Sequence, residues 1–140
     1  MIILDTNIVS EAMKPDPHPG VRDWLNAQAA ETLHLSSVVL AELLFGSAAL
    51  PDGKRRDRLT DALDGFMRLF AGRILSFDVE AAQAYAALMA EARTKGVVIS
   101  TANGLIAATA TANDMMVATR DTGPFQAAGI GVVNPWGNSP

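Results

Sequence analysis

The sequence predicts an α/β fold, a mainly parallel sheet of about five strands covered by helices on both faces. Three observations predict it. Short apolar runs alternate with longer segments of helical periodicity. The first run, Ile2–Leu4, is apolar at every position, as a strand buried on both faces requires. And 140 residues, 49% of them hydrophobic and 19% charged, bury one sizeable core and exclude a disordered chain.

After the Ile2–Leu4 strand a short helix is expected from about Asn7 to Met13. The loop from Lys14 to Gly20 stops it, because Pro15, Pro17 and Pro19 cannot continue a helix. Val21, Trp24, Leu25 and Gln28 carry a second helical spacing, and Leu33–Leu35 reads as a short strand. Ser36 or Ser37 caps a helix running to about Leu50, where Pro51 stops it. Gly53–Phe70 is amphipathic, with Leu59, Leu63, Phe66, Met67 and Phe70 on one face. Ile74–Phe77 is a strand, and Asp78 caps a helix that ends at Gly96. Ser100 caps a helix of small residues through Ala112. Met115–Ala118 and Gly131–Val133 complete the strands. One domain, residues 1–140, is expected.

Composition narrows the chemistry. The net charge of −4 excludes a uniformly basic nucleic-acid clamp. The absence of cysteine removes disulfides, zinc–thiolate sites, iron–sulfur clusters and cysteine nucleophiles. Two histidines, His18 and His34, do not make a histidine-rich metal site. The apolar start ends at Asp5 without a basic segment before it, so no signal peptide is expected. The longest uncharged stretch, Gly96–Asn113, is too polar to span a membrane. A cytoplasmic protein is the expectation. The apolar content is high for a small monomer and points to a covered surface.

Four polar residues stand where burial is expected. Asp5 and Asp121 each follow an apolar strand, at the carboxyl edge where α/β sheets place their ligands. Each is equally a good helix or turn cap, and the residues alone leave both readings open. Glu42 is the only charged residue between Val38 and Leu50, with Val38, Val39, Phe45 and Gly46 as its helical neighbours. A buried carboxylate there needs a partner, a proton or a metal. Asn103 lies in the first turn of the charge-free helix, and Asn103-Gly104 is also a common turn signal. Lys54, Arg55, Arg56 and Arg58 read first as a solvated helix face, with phosphate contact as the alternative. Trp24 and Trp136 read as packing, and Tyr85, Leu88 and Met89 as core or interface. His18 reads as solvated, and His34 lies on or beside a strand with no partner evident.

The segments Asp5-Thr6-Asn7, Ala41-Glu42-Leu43, Ala102-Asn103-Gly104-Leu105-Ile106-Ala107-Ala108 and Ala118-Thr119-Arg120-Asp121 form an ordered set. The tail Gly129-Ile130-Gly131-Val132-Val133-Asn134-Pro135-Trp136 closes it. In this order and spacing the sequence resembles the PIN-domain ribonucleases, and among them the VapC/FitB-like toxins of bacterial type II toxin–antitoxin systems. The resemblance runs from Met1 to Trp136.

The resemblance implies a three-layer α/β/α sandwich and a Mg²⁺- or Mn²⁺-dependent endoribonuclease. Asp5, Glu42 and Asp121 match the family's acids, and Asn103 stands where the family has aspartate. Thr6 would orient Asp5, Asn7 follows it, and Thr119 would supply a supporting hydroxyl. Clustered carboxylates repel, and a hard divalent ion held by oxygen donors removes that conflict. The ion polarises the scissile phosphate and lowers the pKa of a bound water. The products implied are 5′-phosphate and 3′-hydroxyl ends. Arg120, Arg73 or the Lys54–Arg58 cluster are candidates for the basic patch that meets RNA. A VapB/FitA-like antitoxin is the implied partner, inserting an arginine near the acids. A homodimer through helices near Ala41–Leu50 and Ala81–Met89, or a larger toxin–antitoxin assembly, is also implied.

Asn103 is the departure that matters. An amide oxygen still ligates a hard cation but carries no charge and accepts no proton. Weakened metal binding and weakened or lost cleavage are therefore expected. The competing reading is an inactive module that keeps antitoxin or RNA binding. Many relatives place asparagine at position 121 with aspartate three residues on; here position 124 is Pro124, so Asp121 must itself be the last acid. Other families with an aspartate after the first strand fit less well. An aspartyl-nucleophile phosphatase wants a second aspartate where Asn7 stands, and a phosphoacceptor receiver wants paired acids before the first helix. No glycine-rich nucleotide-binding signature follows the first strand.

Overall fold

The computed structural model describes residues 1–137; the last three positions of the expected 1–140 domain lie outside the described residues. The elements are β1 (Ile2–Leu4), α1 (Thr6–Ala12), α2 (Pro19–Ala27), a 3₁₀ turn (Ala30–Thr32), β2 (Leu33–Ser36), α3 (Ser37–Ala48) and α4 (Lys54–Leu69). They continue with β3 (Ile74–Leu75), α5 (Val79–Thr94), α6 (Thr101–Ala112), β4 (Met116–Ala118), α7 (Thr122–Ala127) and β5 (Val132–Val133).

The five strands form one sheet in the order β3-β2-β1-β4-β5, and every pairing is parallel. β1 lies at the centre, with β2 on one side and β4 on the other. Connections therefore run outward from β1 in one direction and from β4 in the other. Right-handed crossovers then place helices on opposite faces. Between β1 and β4 the winding reverses, and the helices that follow these strands part at their carboxyl ends to leave a crevice.

The core explains the apolar strands. Ile3, Leu4, Leu35 and Val117 are fully buried from both faces, with Ile8, Val9, Val39, Ile106 and Phe125 from the covering helices. Gly104 is buried in α6 where α5 crosses it: a Cβ there would stand 2.8 Å from Met89 Sδ and 3.1 Å from the Tyr85 ring. Asn103-Gly104 is therefore helix, not turn, and the glycine serves close helix packing.

Several boundaries differ from expectation. α2 starts at Pro19, inside the expected loop, because proline is suited to the first helical position and His18 Nδ1 accepts from Gly20 N at 3.0 Å. The strand expected over Ile74–Phe77 stops at Leu75; Phe77 N donates instead to Ser37 Oγ. The sequence predicts no element between the last two strands, and α7 forms there. Pro124 falls in the first turn, where its missing N–H has no helical acceptor to lose.

Candidate active site

The site is built where the sheet reverses direction. Asp5 follows β1 and Asp121 lies three residues beyond β4, the two strands flanking the switch point. Glu42 comes from α3 and Asn103 from the first turn of α6. All four line one cleft of about 470 Å³, together with Thr6, Asn7 and Arg120. Thr119 is fully buried beneath it.

Asp5 is the best-anchored acid. It is 5% exposed, and Oδ1 accepts from Thr6 N at 2.8 Å, which also caps α1. Oδ2 accepts from Thr119 Oγ1 at 2.8 Å and lies 3.5 Å from Asn7 Nδ2. Thr119 Oγ1 accepts in turn from Asn7 Nδ2 at 3.3 Å and from Asp121 N at 3.0 Å. Asn7 Oδ1 accepts from Arg120 N at 3.2 Å. The loop carrying Asp121 is thus tied to the floor under Asp5 by one hydroxyl and one amide. Asp121 takes the N-cap position of α7 but makes no capping bond with its side chain. Its carboxylate remains available to the cleft.

One expectation is corrected here, and a second is extended. Glu42 is exposed, not buried: α3 is apolar on every side, and Leu44 and Phe45 beside it are 42% and 76% exposed. Its apolar neighbours therefore do not mark a core face, and its carboxylate projects into the cleft. Thr6 reaches Asp5 only through its backbone N–H; its hydroxyl donates to Glu42 Oε1 at 3.0 Å. Thr6 therefore joins the two acids and orients both.

Burial is the main force on Asp5 and raises its pKa above the ordinary value of 3.8. The bonds from Thr119 and Thr6 oppose that rise, while the charges of Glu42 and Asp121 add to it. Among the described residues none of these three carboxylates is paired with a cationic side chain. The donors surround the cleft without converging: among the described residues no three His, Cys, Asp or Glu side chains are arranged to hold an ion. The set nevertheless fits a hard divalent cation by its chemistry. All its donors are oxygens, and the repulsion felt at Asp5 is the conflict a cation relieves.

The candidate basic residues separate. Arg73 does not reach the cleft: its guanidinium donates to the carbonyls of Ala30, Leu33 and Leu69 and ties β2 to the end of α4. Arg55 and Arg58 flank an adjoining apolar groove between α1, α3 and α4, beside Glu42. Among the described residues only Arg120 and Lys14 supply cations to the acidic cleft itself, and Lys14 is paired with Glu11 at 3.2 Å. Glu11 and Lys14 were missed from the sequence, as was Ser10. Their signal is the helical spacing from Asn7 to Glu11, which puts Glu11 on the face of α1 that carries Asn7, with Lys14 just past the helix end and one further turn along.

A doubly wound parallel sheet with carboxylates gathered at its switch point puts this chain among the small α/β domains that carry an acidic cleft. Residues 2–130 match the PIN domain, and the chain belongs to that family. It is 53% identical over 137 residues to VapC ribonuclease Y4jK of Sinorhizobium fredii, covering 97% of this chain and 98% of that one. It is 46% identical to toxin FitB of Neisseria gonorrhoeae over 97% of this chain and 99% of that protein. Among solved structures, FitAB bound to an IR36 DNA fragment contains a chain that superposes with a TM-score of 0.93 at 44% identity. That match covers 99% of this chain and 98% of the other.

Proposed function

We propose that this chain is a divalent-metal-dependent endoribonuclease, the toxin of a type II toxin–antitoxin pair, with activity weakened by Asn103. The observation that carries the proposal is the single cleft shared by Asp5, Glu42, Asn103 and Asp121 at the switch point. Asp5, Glu42, Asp121 and the Asn103 amide oxygen would hold Mg²⁺ or Mn²⁺. When bound, the ion supplies Lewis-acid polarisation of the phosphodiester and activation of the attacking water. Water adds to phosphorus, the P–O3′ bond breaks, and the 3′ oxygen leaves as a hydroxyl. The chain's own residues prepare that step. Thr119 and Thr6 fix the Asp5 carboxylate, Thr6 also holds Glu42, and Asn7 and Thr119 hold the loop that carries Asp121.

The relative in complex with its partner and DNA supports a VapB/FitA-like antitoxin as the partner here. The exposed Leu44 and Phe45 of α3 support a homodimer through α3 and α5, within a larger cytoplasmic toxin–antitoxin assembly. Among the described residues no helix is long and apolar enough to cross a membrane.

The test is cleavage of a mixed RNA pool by this chain and by Asn103→Asp, each with Mg²⁺, Mn²⁺ or EDTA. Cleavage by Asn103→Asp at least about tenfold faster, lost in EDTA and in Asn103→Asp with Glu42→Gln, supports the reading; one added carboxylate strengthens the ion's hold and its share of the rate. Asn103 itself favours a second reading, an inactive binding module. That reading prevails if neither form cuts RNA with either metal.

A further inference from the structure

The tail Asn134-Pro135-Trp136 plays no part in the cleavage scheme, yet the fold holds it at the mouth of the acidic cleft. Trp136 N donates to Asn134 Oδ1 at 3.0 Å, which bends the tail after β5. The Trp136 ring lies 6.3 Å from the His18 ring. Gly20 lies so close beneath the tail that a Cβ there would stand 2.8 Å from Pro135 O. The indole is half-buried and packs against the edge of the core. Above it, 5.2 Å from the ring centroid, stands the Arg120 guanidinium.

A polyanion entering a cleft lined by four carboxylates, Asp5, Glu11, Glu42 and Asp121, needs a cation at the rim. Lys14 is engaged by Glu11. Arg120 makes no ion pair among the described residues, although Asp121 is its neighbour in the chain. Its backbone is fixed by the bond from its N–H to Asn7 Oδ1, and its side chain by the indole face. A guanidinium lying against an aromatic face keeps its in-plane N–H donors free, in the fork that suits a phosphate. Holding the long side chain in advance also lowers the rotamer entropy lost on binding.

We propose that Arg120, held in place by Trp136, is the residue that binds an RNA backbone phosphate next to the scissile bond. This rests on the ribonuclease reading and adds a binding residue and a positioning residue to it. Arg120 touches the phosphate; Trp136 acts only through Arg120.

The test uses a fluorescein-labelled single-stranded RNA oligonucleotide, titrated in EDTA across a range of KCl. Arg120→Ala is expected to weaken binding about tenfold and to reduce the slope of log K against log salt by about 0.7, the value for one phosphate contact on a single strand. Arg120→Lys keeps the slope, since it keeps the charge, but loses part of the affinity with the fork. Trp136→Phe retains most of the affinity and Trp136→Leu does not, with thermal melts confirming that each variant is folded. Arg22→Ala, on the exposed surface of α2, is the control and leaves both readouts unchanged. In the Asn103→Asp background, Arg120→Ala raises KM about tenfold and leaves kcat within about threefold, as loss of uniform binding requires. Unchanged affinity and slope in Arg120→Ala, while Asn103→Asp still cuts RNA, overturn the proposal and leave the ribonuclease reading standing. Absence of both binding and cleavage in Asn103→Asp overturns the two together.

Discussion

Thr119→Val tests how the floor of the cleft is held. Valine nearly matches threonine in shape and removes only the hydroxyl, so it leaves no void at this fully buried position. Three contacts go with the hydroxyl: the 2.8 Å bond to Asp5 Oδ2, the 3.0 Å bond from Asp121 N and the 3.3 Å contact with Asn7 Nδ2. The first is charge-assisted and contributes about 1.5–3 kcal/mol; the long third contact contributes little. Asp121 N lies near the surface and recovers a water partner, so its loss costs about 0.5–1 kcal/mol. The expected destabilisation is about 2–4 kcal/mol, which lowers Tm by about 3–5 °C for each kcal/mol in a domain of this size. Urea unfolding in EDTA at pH 7 measures it, with Thr119→Ser as the comparison. The penalty should shrink as pH falls, because a protonated Asp5 needs the donor less. A cost below about 1 kcal/mol, or an equal cost for Thr119→Ser, would refute the assignment of the hydroxyl as the anchor.

Two further outcomes follow from the same geometry. The folded pKa of Asp5 is raised, mainly by burial, so the folded chain holds that proton more tightly than the unfolded chain. Stability without metal then falls as pH rises from the ordinary value of 3.8 through the raised folded one, and is lowest above it. Asp5→Asn should remove this dependence and be the more stable form at pH 7 in EDTA, while Mg²⁺ should raise the Tm of the unaltered chain only; a less stable Asp5→Asn would contradict the sign. Arg73→Ala should cost about 2–3 kcal/mol, since three carbonyls lose a charged donor, and leave the salt dependence of RNA binding unchanged. A changed salt slope in that variant would return Arg73 to the RNA surface.

The sequence carried the sheet because a buried parallel strand has an unmistakable composition. Ile2–Leu4 was placed to the residue, and β2 and β4 within one position, by apolar runs bounded by polar ones. What it did not carry was decided by local geometry. Pro124 ends helices in general but is harmless in the first turn of α7. The candidate residues Asp5, Glu42, Asn103 and Asp121 stand out in the sequence by position, and the fold brings all four to one cleft. Glu42's exposure was not legible, because a helix that is apolar all round gives no phase to its burial. Neither was the division between Arg73 and Arg120. Both are arginines after apolar runs, and only the tertiary structure puts one against carbonyls and the other over an indole.

The bond from Thr119 to Asp5 joins residues 114 positions apart. Asp5 and Glu42 leave the ribosome early, while Thr119, Asp121 and Trp136 follow only after six α-helices and four strands have been made. A nascent chain that has reached α5 therefore carries two of the acids but lacks the strand that would set the third beside them. The cleft comes into being late in synthesis and all at once, when β4 slots in against β1.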